Sequence, residues 1–578
     1  MALLPEPKPA LDNTLEATLP PDSTLEHVEQ TVDDPVAFLV SNPQALSVAY
    51  GASSLKAVLD NKAALLCAVM ASFGGLTFGY DQGVISVTLV MDHFLKTVPE
   101  ISPGYSGASF NKGLLTAILE LGAMLGAMQT GLLADRFSRK RALMVGSVWF
   151  VVGSILQTAT YSYAQLIVGR LLGGVGIGLL SSTAPLYISE ISPPHVRGAL
   201  LVWEQVMIVI GVVIAYWLTF GTRYIHSSVS WRLPFGLQLI PGVILFFGAW
   251  FLPYSPRWLA TQKRYDECLS SLARLRGLPE HDPRVQAEHL NILAEVAVNK
   301  EVAALQHPSL DSDNLDGKLS LWQAFMKEVK GWRDAFSKRY IKRTIVGAGV
   351  AGFQQFTGIN ALIYYAPTLF ASLGLNDDTS ILMSGIMNTL QLVGCLPTIA
   401  LLDQAGRRRL LLVGSTLLVL CHTAVAAIIG RCYQDWTAHR GAGWAGVALV
   451  FTFMLSYGAT WGPVSWALPP EVFPSSIRAK GVAISVATLW FSNFIVGLIT
   501  PPLNSAKPYA AFAFYAGFAL LSLAWVYFCV PETKGRSLED MDAVFHDSSA
   551  QDEAGRRQKI VQTLLDARSL NLKPVDTP

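Results

Sequence analysis

Five polar side chains stand close together in an otherwise apolar stretch, residues 343–372. The stretch contains the pattern FQQFTGIN and supplies Gln354, Gln355, Asn360, Tyr364 and Tyr365. Amides and hydroxyls both donate and accept hydrogen bonds, and aromatic rings offer a face to C–H groups, so the set suits a neutral, hydroxyl-rich ligand. On a straight helix Gln354 and Asn360 would point about 120° apart. We therefore expect a helix break at Gly358 that lets them converge. The alternative interpretation of any single amide is a helix–helix hydrogen bond, which contributes about 0.6–2 kcal/mol.

A second set consists of ionisable groups in apolar stretches that are long enough to cross a bilayer. Asp81 lies 19 residues from Lys62 and Arg170 lies 20 residues from Glu190, so the two reach a similar depth. A charge in mid-bilayer costs at least about 2.5–3.5 kcal/mol and is usually paired and functional. Arg170 favours the ionised form of Asp81, whereas burial favours its protonated form. Proton binding by Asp81 would therefore be coupled to breaking of the ion pair. Glu120 is a rival or additional partner, and a permanent structural ion pair is the alternative interpretation.

Long apolar helices must position these residues. The chain is 51% hydrophobic and only 15% charged, with a mean hydropathy of +0.39, which is typical of a bilayer-embedded protein. A net charge of +1 excludes the basic footprint of a nucleic-acid-binding protein. About 20 apolar residues cross a bilayer. Runs of that length predict twelve spans: 63–91, 111–134, 142–160, 163–188, 198–220, 233–253, 343–372, 380–402, 410–430, 442–468, 480–503 and 510–530.

Basic residues in the short loops give the predicted spans a direction. The loops after the second, fourth, eighth and tenth spans carry Lys and Arg, which places them and both termini in the cytoplasm. Residues 1–62 and 531–578 are then cytoplasmic tails, and the acidic, Pro-rich first tail is expected to be disordered. Residues 254–342 form a cytoplasmic linker with short amphipathic helices. Residues 63–253 and 343–530 make two six-helix halves.

The two halves repeat their loop motifs. GLLADRFSRKR at 131–141 matches ALLDQAGRRR at 400–409, and LYISEISPPHVRGAL at 186–200 matches ALPPEVFPSSIRAKGV at 467–482. Parallel repeats of this kind are typical of transporters whose site lies between the halves. Acids and arginines at these helix ends predict ion pairs that hold the inner ends of the halves together, with plain positive-inside topology as the alternative. The predicted gating residues are Asp135, Arg136, Glu190, Arg197, Asp403, Arg407, Glu471 and Arg478.

These motifs make the chain resemble the sugar porter family of the major facilitator superfamily, especially its fungal hexose and pentose transporters. The resemblance covers about residues 63–540 and rests on FGYDQGVIS (78–86), DRFSRK (135–140), PYSPRW (253–258), QQFTGIN (354–360), DQAGRR (403–408) and PETKG (531–535). It implies an all-α membrane protein with twelve helices in the major facilitator fold. Such a protein would carry a monosaccharide across the plasma membrane by alternating access, with sugar–proton symport favoured. A passive facilitator, a polyol, quinate or disaccharide carrier, and a non-transporting sugar sensor are the alternatives.

The resemblance also extends the binding set. It adds Gln205, Asn388, Trp466 and Asn493 to Gln354, Gln355, Asn360 and Tyr364. Three positions depart from the family pattern: Ser138 stands for a usual Gly, Tyr254 for a usual acid, and Leu489 for a usual Asn or Gln. The sequence offers no nucleophile–base set, phosphate loop or metal-ligand spacing, so we expect no enzyme activity, metal or cofactor. The expected partners are the sugar, a proton and the lipid bilayer.

Overall fold

The computed structural model describes residues 34–51, 59–306, 321–398, 405–474, 476–534, 541, 544–545 and 549–569. All secondary-structure elements assigned within these ranges are helices. We number the α-helices α1–α23 in chain order. Their bounds are α1 Pro35–Ser41, α2 Pro43–Ala49, α3 Lys62–Thr88, α4 Asp92–Thr97, α5 Ala108–Phe137, α6 Arg139–Thr158, α7 Tyr163–Ile191, α8 Arg197–Thr222, α9 Val229–Leu237, α10 Leu239–Phe251, α11 Pro256–Thr261, α12 Tyr265–Arg276, α13 Pro283–Gln306, α14 Leu321–Ala335, α15 Ile341–Phe356, α16 Ile359–Ala371, α17 Asp377–Cys395, α18 Arg407–Cys432, α19 Arg440–Ala459, α20 Trp461–Val472, α21 Arg478–Ala506, α22 Ala510–Cys529 and α23 Ser549–Ser569.

Ten segments of the described chain are long and apolar enough to cross a membrane. They are α3, α5, α6, α7, α8 from Leu200, α9 with α10, α18, α19 with α20, α21 and α22. Each overlaps one predicted span. The other two predicted spans, 343–372 and the described part of 380–402, coincide with the broken pair α15–α16 and with α17. The all-helical prediction is thereby confirmed, and the count of twelve spans stays a prediction.

Small residues let the membrane helices approach closely. Gly75, Gly79 and Gly83 form one stripe on α3, and this stripe faces α8. A Cβ added at Gly79 would lie 1.8 Å from the carbonyl oxygen of Ile208, so any larger side chain would force the two helices apart. Lipid tails are as apolar as the helix surfaces, so the hydrophobic effect does not drive helices together inside a membrane. Van der Waals contact between closely packed backbones stabilises their association instead.

Two groups of helices, α3–α10 and α15–α22, meet mainly along two helix pairs, and α3 also contacts α16. In the first pair, α5 packs along α21, and in the second, α8 packs along α17. Tyr216 of α8 donates to the carbonyl of Ile381 at 2.6 Å, and Trp217 Nε1 donates to Thr389 Oγ1 at 3.1 Å, so the second pair is also hydrogen-bonded. Any substrate site between the groups is therefore enclosed by these four helices and their neighbours.

The described part of the linker contains α11–α14, and α12 buries one apolar face. On α12, Cys268, Leu272 and Leu275 are buried, while Tyr265 and Leu269 are partly covered. The helix α13 then acts as a platform against which α1 and α23 pack.

The prediction of disorder for residues 1–62 is wrong for residues 35–49. Two short helices form there, and Val36, Leu39 and Val40 are buried against Leu290 and Val561. These three residues follow the i, i+3, i+4 spacing of one helical face. The acidic, Pro-rich average of the whole tail concealed this local pattern.

Candidate substrate site

The helix predicted to break at Gly358 does break there. The helix α15 ends at Phe356 and α16 begins at Ile359, with Gly358 at φ +87°. A Cβ at Gly358 would lie 2.7 Å from the ring carbon Cγ of Tyr515, so glycine is required both by the backbone angle and by the neighbour. Asn360 Nδ2 donates to Gln355 Oε1 at 2.6 Å, and Gln355 Nε2 donates to Gln354 Oε1 at 3.3 Å. The expected convergence of the three amides is confirmed.

Tyr364 is the centre of a wider polar cluster. Its hydroxyl accepts hydrogen bonds from Gln82 Nε2 at 3.0 Å and from Asn493 Nδ2 at 3.1 Å, and it donates to the carboxylate of Glu120. Gln82 Nε2 also lies 3.4 Å from Asn360 Oδ1. The cluster thus joins α3 and α5 of the first group to α16 and α21 of the second. Sequence reasoning missed Gln82, although an amide beside Asp81 in an apolar span was a usable signal.

Several buried polar atoms in this region lack a hydrogen-bond partner among the described residues. They are both side-chain atoms of Asn388, Gln391 Oε1, Asn493 Oδ1 and Glu120 Oε2. Asn388 is fully buried on α17, and Gln391 lies one helical turn further along. An unsatisfied buried polar atom costs about 1–3 kcal/mol. These atoms are therefore suited to a polar ligand that offers donors and acceptors together.

The structure does not bring Gln205 and Trp466 into the hydrogen-bonded cluster. Gln205 is half-buried on α8, and no described residue hydrogen-bonds to its side chain. Trp466 is half-buried and packs against the apolar cluster that contains Phe78 and Trp490. Leu489 belongs to the same cluster and is 3% exposed. The departure at Leu489 thus extends an apolar wall.

Asp81 and Arg170 lie within ion-pairing distance, as their sequence depths predicted. Asp81 Oδ2 is 3.5 Å from Arg170 Nη2, and both side chains are buried. Neither oxygen of Asp81 has a hydrogen bond from a described residue. Arg170 also reaches the carbonyl of Thr116 at 3.4 Å and Gln157 Oε1 at 3.5 Å. The pair is long and shares its cation with other acceptors, while Glu120 is bonded to Tyr364.

At this helix end Arg139, and not the predicted gating residue Arg136, makes the ion pairs with Asp135 and Glu190. Arg139 is buried, and its guanidinium lies 2.9 Å from Glu190 and 3.1 Å from Asp135. Arg136 is exposed and lies over the ring of its neighbour Phe137. Arg139 begins α6, which turns its side chain inward, whereas Arg136 lies on the outer face of the last turn of α5.

The second group repeats this arrangement. Arg407 Nη2 lies 3.0 Å from Glu471 Oε1, and Thr533 donates to the other oxygen of Glu471 at 2.7 Å. Asp403 lies outside the described residues. Each ion pair joins helices of one group, so the expectation that these pairs bridge the two halves is wrong for the pairs described. The repeat places one such pair in each half, so each pair forms between helices of its own half.

Ser138 occupies a backbone conformation that favours glycine. It has φ +102° and ψ 155°, and Gly406, its counterpart in the repeat, has φ +90° and ψ 148°. Ser138 Oγ accepts from the backbone N–H of Arg141 at 3.3 Å and so caps α6. This cap partly offsets the backbone strain of a non-glycine residue at positive φ.

Glu295 on α13 lies in reach of arginines from both groups. Its carboxylate is 2.5 Å from Arg257 Nη2. Burial would raise the pKa of Glu295, but the charges of Arg257, Arg478 and Arg197 bring it below its ordinary value. The charges of Arg197 and Arg478, which the repeat aligns, thus both act on an acid that the linker supplies and that sequence reasoning did not find.

The two groups of long apolar helices have the major facilitator fold, which solved structures share. The partially occluded, inward-open xylose transporter XylE from E. coli has a TM-score of 0.66 at 22% identity, over 82% of this chain and 100% of that chain. The proton:xylose symporter XylE bound to 6-bromo-6-deoxy-D-glucose gives 0.66 at 23% identity, over 84% and 99%.

Residues 67–545 match the model of the family described as sugar (and other) transporter, and the chain belongs to this family. It is similar to the MFS-type transporter criB of Aspergillus cristatus, with 33% identity over 84% of this chain and 93% of the relative. The MFS glucose transporter mfs1 of Aspergillus flavus is 30% identical over 82% and 88%. Hexose transporter 2 of Kluyveromyces lactis is 31% identical over 84% and 82%. The protein is accordingly a transporter and not an enzyme.

Proposed function

We propose that this protein carries a monosaccharide across the plasma membrane by alternating access of its two helix groups, with a proton moving alongside the sugar. The proposal includes twelve spans and places both termini and the linker in the cytoplasm. Relatives described as glucose and hexose transporters support the sugar. A proton:xylose symporter of the same fold supports the proton.

The buried amides with unpaired atoms are the observation that carries the proposal. A sugar is uncharged, and each hydroxyl both donates and accepts, which matches amide groups of Asn388 and Asn493 that have capacity left. An anionic substrate would need a cation to pair with, and the Nη atoms of Arg170 already contact Asp81, Thr116 and Gln157, which leaves only Nε without a partner among the described residues. A neutral, hydroxyl-rich substrate fits this arrangement best.

Alternating access requires that the contacts between the groups can be exchanged. The hydrogen bonds of Tyr364 with Gln82 and Glu120 join the groups at the site itself, so a sugar that replaces one of them would couple binding to movement. The loosely held pair of Asp81 and Arg170 supplies a carboxylate that could be protonated when its cation turns to other acceptors. Sugar and proton would then act on neighbouring parts of α3.

Uptake by whole cells tests the proposal. The chain is expressed in yeast that lacks hexose transport, and uptake of labelled glucose, xylose, galactose, arabinose and a polyol is measured. We expect saturable uptake of at least one sugar. The variant Asn388→Ala should raise KM by about 2- to 10-fold, since one hydrogen bond contributes about 0.5–1.5 kcal/mol. Gln129→Ala is the control, because Gln129 is exposed and bonds only within its own helix. Absence of saturable uptake for every compound would refute the sugar proposal.

Proton coupling is tested in the same cells. We expect a protonophore to lower accumulation, and Asp81→Asn to abolish accumulation while leaving exchange of sugar across the membrane. Surface expression is measured for each variant. Uptake that is indifferent to both the protonophore and the substitution would identify a passive facilitator.

A further inference from the structure

A groove opens on the outer surface of the first group, between α6 and α10. Its volume is about 590 Å³, within the range of small-molecule sites. The apolar part of its lining consists of Met144, Val145, Val148, Trp149, Phe246 and Trp250. Both helices belong to segments that are long and apolar enough to cross a membrane. The groove therefore faces lipid rather than the substrate site.

The apolar residues of the groove are unusually open. Val148, Trp149 and Trp250 are 47%, 39% and 62% exposed in the isolated chain. Exposed apolar side chains on a membrane-crossing helix contact hydrocarbon, and tryptophans mark the depth of the headgroups. A groove at this depth is shaped for one acyl chain whose polar end lies at the membrane surface.

Two basic residues lie at the end of the groove nearest the linker. Lys140 Nζ donates to the carbonyl of Trp250 at 2.6 Å and lies 5.3 Å from the ring centre of Tyr254. Arg141 is exposed. Neither Lys140 nor Arg141 forms an ion pair with an acid among the described residues, in contrast to the adjacent Arg139. Two neighbouring cations without an acid are complementary to one phosphate.

We propose that this groove binds one anionic phospholipid of the leaflet on the linker side, with the phosphate at Lys140 and Arg141 and an acyl chain against Val148 and Trp250. The site is independent of the sugar pocket. It lies beside Arg139, whose ion pairs hold α5, α6 and α7 together, so a bound lipid would brace that end of the first group.

The second group supplies matched controls. The repeat aligns Arg409 with Arg141, and Arg408 donates to the carbonyl of Tyr527 at 2.6 Å as Lys140 does to that of Trp250. Arg409→Gln thus removes an equivalent charge away from the groove. Within α6, Val152 is 40% exposed and lies one turn beyond Val148, outside the groove lining. Val152→Trp adds the same bulk as Val148→Trp without filling the groove.

Native mass spectrometry of the purified, delipidated full chain tests the proposal, with an equal mixture of phosphatidylserine and phosphatidylcholine of the same acyl chains. We expect phosphatidylserine to be retained preferentially, and Arg141→Gln to reduce the preference about fivefold, the effect of one cation near a charged lipid. Val148→Trp should reduce retention of both lipids, whereas Arg409→Gln and Val152→Trp should leave it unchanged. Equal effects of Arg141→Gln and Arg409→Gln would overturn the proposal, as would unchanged retention in Val148→Trp. Glycerophosphoserine, which has no acyl chains, should not compete; if it does, the site binds a soluble anion and the lipid proposal fails.

Discussion

Removing the hydroxyl of Tyr364 should loosen the closure between the two helix groups. In Tyr364→Phe, Gln82 and Asn493 each lose a hydrogen-bond acceptor, and Glu120 loses the donor to its carboxylate. Only the bonds to Gln82 and Glu120 cross between the groups, because Asn493 lies on α21 of the same group as Tyr364. A neutral bond inside a membrane protein contributes about 0.6 kcal/mol and one to a charged group about 1.5–3 kcal/mol, so the crossing bonds total about 2–3.6 kcal/mol. If these two bonds form only in the closed conformation, the open population rises about 30- to 400-fold.

Hydrogen–deuterium exchange of the purified protein measures this shift, supported by thermal unfolding in detergent. We expect faster exchange in α3, α5, α16 and α21 of Tyr364→Phe. Tyr365→Phe is the matched control, because it removes a neighbouring hydroxyl that donates to the carbonyl of Gly497 at 2.7 Å, within the second group, and does not bond to Gln82 or Glu120. Equal exchange and equal melting of the two variants would refute the assignment of Tyr364 as the link between the groups.

Three further predictions concern the helix ends, the broken helix and the linker. Arg139→Gln leaves Glu190 buried without its cation and should lower the free energy of unfolding by about 3–5 kcal/mol, measured by thermal unfolding. Substitution of the exposed Arg136, Arg136→Gln, should change it by less than about 0.5 kcal/mol. Similar losses in the two variants would contradict the pairing of Arg139 with Glu190. Gly358→Ala should abolish high-affinity uptake because of its φ of +87° and its contact with Tyr515, while Gly352→Ala, whose nearest contact would be 3.4 Å, should retain it. Burial lowers the pKa of His289 to about 4, from about 6.5 in the unfolded chain. Between these two pH values the unfolded state therefore binds more protons than the folded state. The free energy of unfolding should fall as the pH drops from 6.5 to 4, by at most about 3 kcal/mol. His289→Gln should flatten the decline of the melting temperature over that window, and an unchanged slope would exclude His289 as its source.

Features that depend on position along one helix could be predicted from the amino-acid sequence. Run length placed the apolar helices, because a span must match the thickness of the bilayer. Counting from flanking charges placed Asp81 and Arg170 at one depth, because a helix rises by a constant distance per residue. The pattern at Gly358 predicted the break, because a glycine among polar residues in an apolar span is where a helix can unwind and still present those residues to one place.

Which side chains meet could not be predicted, because this depends on how each helix is rotated about its axis and on which helix packs against it. Spacing alone left Arg136 and Arg139 equivalent, and the turn at Ser138 directs Arg139 toward Glu190. The link from Tyr364 to Gln82 and Glu120 spans more than 240 residues, and no local pattern encodes such a contact. The same holds for Glu295, which the linker carries to arginines that the repeat had aligned but could not bring together.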